Sequence, residues 1–230
     1  MTKLYEMISL QQKLNDATNG EGWERGITKN NRVINWRRCI YMESAEMIDS
    51  FSWKHWKSIS ETADYENLQI EIVDVWHFVM SLLLEFSKNN NLGDIAALSE
   101  KISAIPQYKK LQEFKNPSFA DDDAIMAKIE NVMRLSLLPV DADVLGALID
   151  EFFELAHMGG LDEETLYRLY VGKNILNQFR QDNGYKDGTY IKIWDALEDN
   201  AVMKRGFEDD PDMSPQELYQ FLEQFYPKNG

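Results

Sequence analysis

The sequence predicts an all-α protein, a helical bundle, because apolar residues recur at helical spacing along most of its 230 residues. Stop signals such as Asn19-Gly20, Gly159-Gly160 and Asn183-Gly184 end the periodic runs. Few segments alternate polar and apolar residues as a half-buried strand would. With 44% hydrophobic residues, the chain can bury a sizeable core.

The helices follow one another along the chain with one interruption. Apolar spacing predicts helices over about 4–14, 35–51, 68–84, 124–137, 144–157, 162–179 and 218–225. Residues from about 89 to 122, with Pro106 and Pro117, are expected to form a less regular insertion or connector. We therefore predict one all-α domain over residues 1–200 and an acidic C-terminal tail over 201–230 with a short helix.

Charge and composition exclude several classes of partner. The formal net charge of −15 argues against duplex nucleic acid and anionic membranes, because both need a basic surface. Even the most apolar helix carries Glu71, Asp74 and His77, so no stretch reaches the roughly 20 apolar residues of a membrane span. The single cysteine, Cys39, cannot form an internal disulfide, and the N-terminus has no signal-peptide run. We expect a cytoplasmic protein.

Two acid pairs, Glu43-x-x-Glu46 and Glu71-x-x-Asp74, lie on segments predicted to be helical. Residues i and i+3 share a helix face, so each pair presents two carboxylates together. The second pair lies in the run 68–84, which is apolar almost all round and therefore indicates a buried helix. Buried carboxylates need cations, because burying an isolated charge is costly. Oxygen ligands favour hard ions, so we predict a Mg²⁺ site in which Mn²⁺ can substitute.

Other interpretations of these acids stay open. With 39 acids in 230 residues, about six or seven acid-x-x-acid spacings arise by chance, so the pairs could be solvated faces of a non-catalytic interaction protein. Asp74-x-x-His77 and Glu154-x-x-His157 imitate the ligand pairs of ferritin-like di-iron bundles. One argument against iron is that His157 has another role, because a positively charged histidine interacts favourably with a helix C-terminus.

A third group of side chains is suited to phosphate. Lys173, Asn177 and Arg180 lie on one helical stripe, and Tyr185 and Lys186 follow in a glycine-bounded turn. Arginine offers a planar fork, lysine a point charge and tyrosine a hydroxyl donor. The alternative is a solvated helix face with a glycine cap. Phosphate binding is favoured over this alternative, because Mg²⁺ held by carboxylates keeps coordination positions open for substrate phosphates.

The acid pairs resemble the metal motif of the all-α nucleoside triphosphate pyrophosphatases, the superfamily that includes the MazG-type enzymes. Segments 42–57 and 170–190 more particularly resemble the dimeric dUTPases of kinetoplastid parasites and some bacteria and phages. The resemblance covers most of residues 1–200. It implies a catalytic domain there and a Mg²⁺-dependent homodimer that hydrolyses dUTP to dUMP and pyrophosphate, and dUDP too, limiting uracil incorporation into DNA. A related pyrophosphatase with another base specificity, such as dCTP, is the alternative.

The resemblance also implies roles for single residues. It places the magnesium ions on Glu43, Glu46, Glu71 and Asp74, and it gives Glu46 the task of orienting or deprotonating the attacking water. Uracil would be read by Gln11, Gln12 and Asn15, and the phosphates or deoxyribose would be held by Lys173, Asn177, Arg180, Tyr185 and Lys186. Trp53 or Trp56 could stack on the base, although core packing beside a dimer interface fits either one at least as well.

Overall fold

The computed structural model describes residues 2–57, 62–114, 117–211 and 213–227. Over these residues the regular secondary structure is helical apart from one short hairpin and two isolated β-bridges, which confirms the all-α prediction. The chain divides into two compact units, Met1–Tyr167 and Arg168–Gly230. The division falls within one helix rather than near residue 200, and the single catalytic domain over 1–200 stays a prediction.

The first unit contains seven α-helices, the start of an eighth and a 3₁₀ turn at Trp23–Arg25 among its described residues. The helices are α1 (Lys3–Asn19), α2 (Trp36–Asp49), α3 (Tyr65–Asn90), α4 (Ile95–Ser103), α5 (Pro106–Glu113), α6 (Asp122–Leu137), α7 (Ala142–Met158) and α8 (Glu163–Asp182). Side-chain caps explain where several begin: Asn35 starts α2 and Asp64 starts α3, each accepting a backbone N–H of the first turn.

Helix α3 is the centre of the first unit. It packs against α1, α2 and α7, and α2 packs in turn against α6. Its buried Trp76 stacks on Phe152 of α7 with ring centroids 4.7 Å apart. At the end of α7, a Cβ on Gly159 would lie 2.4 Å from Ile72 Cδ1, so this close approach requires glycine. The two helices that carry the acid pairs, α2 and α3, are therefore packed neighbours.

The segment 89–122 is more regular than predicted. It contains α4 and α5, so the expectation of an irregular connector is wrong for most of its described part; residues 115 and 116 lie outside that part. Asp94 caps α4, and Pro106 occupies the first turn of α5, where its missing N–H costs no hydrogen bond. Pro106 thus begins a helix, whereas the sequence predicts that it interrupts the helical pattern.

The second unit comprises α8 from Arg168, a hairpin and two further helices. Strands β1 (Ile193–Trp194) and β2 (Leu197–Glu198) pair antiparallel, and Asp195 and Ala196 turn between them with positive φ. Helices α9 (Asp199–Asp209) and α10 (Pro215–Phe225) follow. The short helix predicted for the tail is thus present as α10, while α9 was not predicted; residues 212 and 228–230 are outside the described chain.

None of the described helices combines the length and apolar character needed to cross a bilayer.

Candidate active site

Helices α2 and α3 bring three carboxylates together. Glu43 and Glu46 of α2 and Glu71 of α3 each offer a carboxylate oxygen, and these oxygens lie within 4.8 Å of one another. Glu43 and Glu71 are half-buried, whereas Glu46 is exposed. The two acid pairs found in the sequence therefore meet in the folded chain, which a pair of independently solvated helix faces would not do.

This cluster fits a hard divalent cation. Its donors are all carboxylate oxygens, which suit Mg²⁺ and Mn²⁺ better than softer metals. Three negative charges at this separation repel one another, and a cation among them removes that repulsion. The residues present therefore agree with the predicted ion.

Asp74 stands apart from this group of three. It lies three residues after Glu71 on α3 and is half-buried, but it is not a member of the cluster. Its assignment as a fourth ligand stays a prediction.

The acid-x-x-His pairs that suggested iron have other partners. His77 Nδ1 lies 2.7 Å from the amide oxygen of Gln11. Lys128 Nζ donates to Glu154 at 2.7 Å, and the His157 ring lies edge-on to Phe114 with centroids 4.2 Å apart. The metal-compatible group found among the described residues contains no histidine. Neither acid-x-x-His pair is thus part of a metal-compatible group among the described residues.

Two of the three amides predicted to read uracil, Gln11 and Asn15, belong to a buried hydrogen-bond network between α1 and α3. Gln11 Nε2 donates to Asn15 Oδ1 at 3.0 Å and to Ser81 Oγ at 3.1 Å, and Asn15 Nδ2 donates to Ser81 Oγ at 3.0 Å. Ser81 Oγ in turn donates to the carbonyl of His77 at 2.7 Å. The network fixes the orientation of both amides. Ser81 was missed in the sequence, although a polar residue four positions after His77 on an apolar helix was a usable signal.

Gln12 is placed differently from Gln11 and Asn15. It is half-buried, and its amide nitrogen donates to Asp16 at 2.9 Å and to Glu24 at 3.3 Å. The structure does not bring it into the network of Gln11 and Asn15, so its role in reading the base stays a prediction.

Trp53 and Trp56 are both exposed, at 40% and 63% of their surface. Their rings meet edge to face with centroids 5.5 Å apart, and Trp53 Nε1 donates to Asp49 at 3.3 Å. Neither is packed in the core of this chain. Their exposure leaves aromatic surface available to a base, which is the arrangement that stacking needs.

In the predicted phosphate-binding stripe on α8, Lys173 is buried, Asn177 and Arg180 are partly buried, and the two cations contact the start of α9. Arg180 donates from Nε and Nη2 to the two carboxylate oxygens of Asp199, each at 2.8 Å, and from Nη1 to Asn177 Oδ1 at 3.2 Å. Lys173 is only 2% exposed, and its Nζ donates to Asn200 Oδ1 at 3.0 Å. The alternative of a solvated helix face is therefore wrong. Asp199 and Asn200 were missed because no periodic pattern links them to α8.

Tyr185 and Lys186 lie in an exposed 3₁₀ turn that directly follows α8. The guanidinium carbon of Arg180 lies 5.9 Å from the centroid of the Tyr185 ring. The structure thus places Tyr185 near the Arg180 side chain and leaves the Lys186 side chain exposed.

The charge state of Asp199 is set by two opposing effects. Burial alone would raise the pKa of its carboxyl, but the hydrogen bonds and charge of Arg180 outweigh burial, and the pKa is lowered. Burial raises the pKa of Tyr190, and the neighbouring Asp199 raises it further. Asp199 is therefore ionised, and Tyr190 is a neutral hydroxyl that donates to it at 2.8 Å.

The fold and the acid cluster together define a class: an all-α protein with metal-compatible carboxylates on two packed helices. A family model described as dUTPase matches residues 3–185. The chain therefore belongs to this dUTPase family, the dimeric all-α dUTPases that the sequence resembles, and is a dUTP diphosphatase. No curated protein sequence matches it.

Proposed function

We propose that the chain hydrolyses dUTP, and dUDP as well, to dUMP in a reaction that requires Mg²⁺. Hydrolysis of dUTP follows from membership of the family. Dependence on the metal is supported by one observation above the others: carboxylate oxygens of Glu43, Glu46 and Glu71 lie within 4.8 Å of one another. A divalent cation bound to this cluster would offset the repulsion among its like charges.

The three carboxylates have different surroundings, which suggest different tasks. Half-buried Glu43 and Glu71 would hold the ion, with Asp74 as a further ligand. When bound, Mg²⁺ or Mn²⁺ supplies positive charge against the phosphate chain. Glu46 is the exposed member, so its carboxylate can reach the attacking water, orient it and accept its proton.

The remaining predicted residues would hold the nucleotide. Cationic Lys173 and Arg180, with Asn177, Tyr185 and Lys186, would bind the phosphates or the deoxyribose through charge-assisted hydrogen bonds. Gln11, Gln12 and Asn15 would select uracil, whose pairing edge shows two acceptors and one donor. One of the exposed tryptophans, Trp53 or Trp56, would stack on the base.

A substrate panel tests this proposal. Product release is measured with dUTP, dUDP, dTTP, dCTP and UTP, in Mg²⁺, in Mn²⁺ and in EDTA. We expect turnover of dUTP and dUDP with either metal and loss of turnover in EDTA that added Mg²⁺ restores. Equal use of all five nucleotides, or a preference for dCTP, would reject uracil selection and leave the metal site standing. Full activity in EDTA would reject the metal site.

We further propose that the protein is a homodimer. The apolar surface of α3 gives no reason for a partner chain, since Leu82, Leu83 and Leu84 are each only 5% exposed within one chain. Support comes instead from the resemblance and from exposed apolar side chains, such as the bridged pair Ile27 and Val33, at 49% and 83%. Light scattering at micromolar concentration should give twice the chain mass of 26.8 kDa. A monomer mass would contradict the proposal.

A cytoplasmic location is proposed as well. The single cysteine, Cys39, is free, and a fold without internal disulfides has no need of an oxidising compartment.

A further inference from the structure

We propose that Asp199 is a positioning residue for the hydrolysis of dUTP. It would hold the guanidinium of Arg180, while the adjacent Asn200 holds the ammonium of Lys173, in the arrangement in which these two cations receive the phosphate chain. This inference rests on the proposed function, in which Arg180 and Lys173 bind phosphates. The family match ends at Tyr185, so the comparison assigns no role to Asp199 or Asn200.

The contact between Arg180 and Asp199 fixes the orientation of the guanidinium plane. Two parallel hydrogen bonds, from Nε to Oδ2 and from Nη2 to Oδ1, are each 2.8 Å long. The Asp199 side chain is fully buried, and that of Arg180 is only 12% exposed. A bidentate pair of this kind sets a direction as well as a distance, because rotation of the planar fork would break both bonds.

The Asp199 carboxylate is itself held from other directions. The hydroxyl of Tyr190 donates to Oδ2 at 2.8 Å, and the Tyr190 ring stacks on Tyr226 at 5.4 Å. The Tyr226 hydroxyl accepts a hydrogen bond from the backbone N–H of Ile191 at 3.2 Å. Asp199 is also the first residue of α9, where the helix dipole favours a negative charge. The segment after β2 is thus a fixed anchor for Arg180.

Asn200 extends the same arrangement to the second cation. Its Oδ1 accepts from Lys173 Nζ at 3.0 Å and from Arg180 Nη2 at 3.5 Å. The charge of Lys173 also lowers the pKa of Asp199, so the two cations and the carboxylate act on one another.

A competing interpretation gives Asp199 the opposite effect. Its carboxylate could stand where a phosphate binds, so that substrate would have to displace it. Breaking a buried bidentate pair is costly, and the carboxylate has a further donor in Tyr190, so the geometry favours an anchor over a competitor. The two interpretations predict opposite changes in KM when the carboxylate becomes an amide.

The test compares steady-state dUTP hydrolysis by the full-length Asp199→Asn variant with that of the wild type. We expect KM to rise on the order of 10- to 100-fold, because a displaced guanidinium no longer matches the phosphate. Mg²⁺ affinity without nucleotide, measured by calorimetry, should not change. The matched control is Asp182→Asn on α8, whose exposed carboxylate accepts from Gln178 and Tyr219 and should leave KM unchanged. An unchanged or lowered KM in a folded Asp199→Asn variant overturns the inference.

A double-mutant cycle shows whether Asp199 acts through Arg180. In an Arg180→Ala background, Asp199→Asn should add little to the rise in KM, whereas independent effects would multiply. If Arg180→Ala alone leaves KM unchanged, the proposed phosphate contact is wrong, and this outcome is distinct from failure of Asp199→Asn.

A milder variant keeps the inference testable if Asp199→Asn does not fold. Tyr190→Phe removes one hydrogen bond to the same carboxylate and keeps the ring, and a rise in KM of about two- to fivefold is expected. Tyr219→Phe is its control, since that hydroxyl donates to Asp182 instead. Equal KM values for the two tyrosine variants would overturn the inference.

Discussion

Glu71→Gln is expected to lower dUTP turnover by a factor on the order of 10² to 10⁴ while the fold is retained. Glu71 is the carboxylate that α3 adds to the two from α2, and its oxygen lies within 4.8 Å of theirs. The amide keeps the size and shape of the side chain but removes a charge and weakens a ligand. Turnover should fall because the remaining carboxylates hold Mg²⁺ poorly.

The thermal stability of the Glu71→Gln variant should not fall with its turnover when no metal is present. In EDTA the three carboxylates repel one another, so the amide should leave the melting temperature unchanged or raise it. Mg²⁺ binding by calorimetry and thermal melts with and without Mg²⁺ measure the two effects separately. Glu100→Gln, at an exposed position on α4, is the matched control and should behave as the wild type in every assay. A Glu71→Gln variant that hydrolyses dUTP at near wild-type rate would refute the proposed metal site.

Asp74→Asn determines whether the fourth carboxylate belongs to the same site. The sequence motif predicts a loss of turnover similar to that of Glu71→Gln, although Asp74 is not a member of the group of three. Loss of turnover with unchanged Mg²⁺ affinity in the absence of nucleotide would place Asp74 outside that metal site.

The acid cluster could be predicted because it depends on residue patterns within two short segments of the sequence. Helical periodicity puts Glu43 and Glu46 on one face of α2, and the apolar run around Glu71 identifies α3 as buried. Two such helices near each other in sequence commonly pack together, so the meeting of their acids followed from the pattern. The same local reasoning failed at Pro106, because a proline that breaks a helix and one that begins a helix look alike until the first turn is located.

The surroundings of the α8 stripe could not be predicted, because they depend on contacts without a sequence pattern. Asp199 reaches Arg180 only because the chain turns back through the two-residue hairpin 193–198. Asp195 and Ala196 turn that hairpin with positive φ, yet neither is the glycine by which such a turn is usually found. The sequence therefore indicates the cations of the stripe but not the contacts that Asp199 and Asn200 make with them.

Arg180→Ala is expected to destabilise the protein by about 3–5 kcal/mol, the usual cost of leaving one partner of a buried ion pair without the other. The variant keeps the fully buried Asp199 carboxylate but removes the two 2.8 Å hydrogen bonds from the guanidinium. Thermal and urea unfolding of the variant and the wild type measure the loss. Adding Asp199→Asn should recover part of the stability, because the buried charge is gone, while KM for dUTP stays high.

The deficit of Arg180→Ala should depend on pH with a defined sign. In the wild type the pKa of Asp199 is lowered. Its ion pair therefore stabilises the fold fully at pH values above the ordinary pKa of an aspartate, near 3.9. This stabilisation is lost as the pH falls through the lowered pKa. In Arg180→Ala, burial without the guanidinium raises the pKa of the same carboxyl, and protonation relieves the buried charge at mildly acidic pH. The difference in free energy of unfolding should therefore be largest near neutral pH and shrink on acidification. A difference that stays constant from pH 7 to pH 4 would show that lost packing, rather than the Asp199 charge, causes the destabilisation.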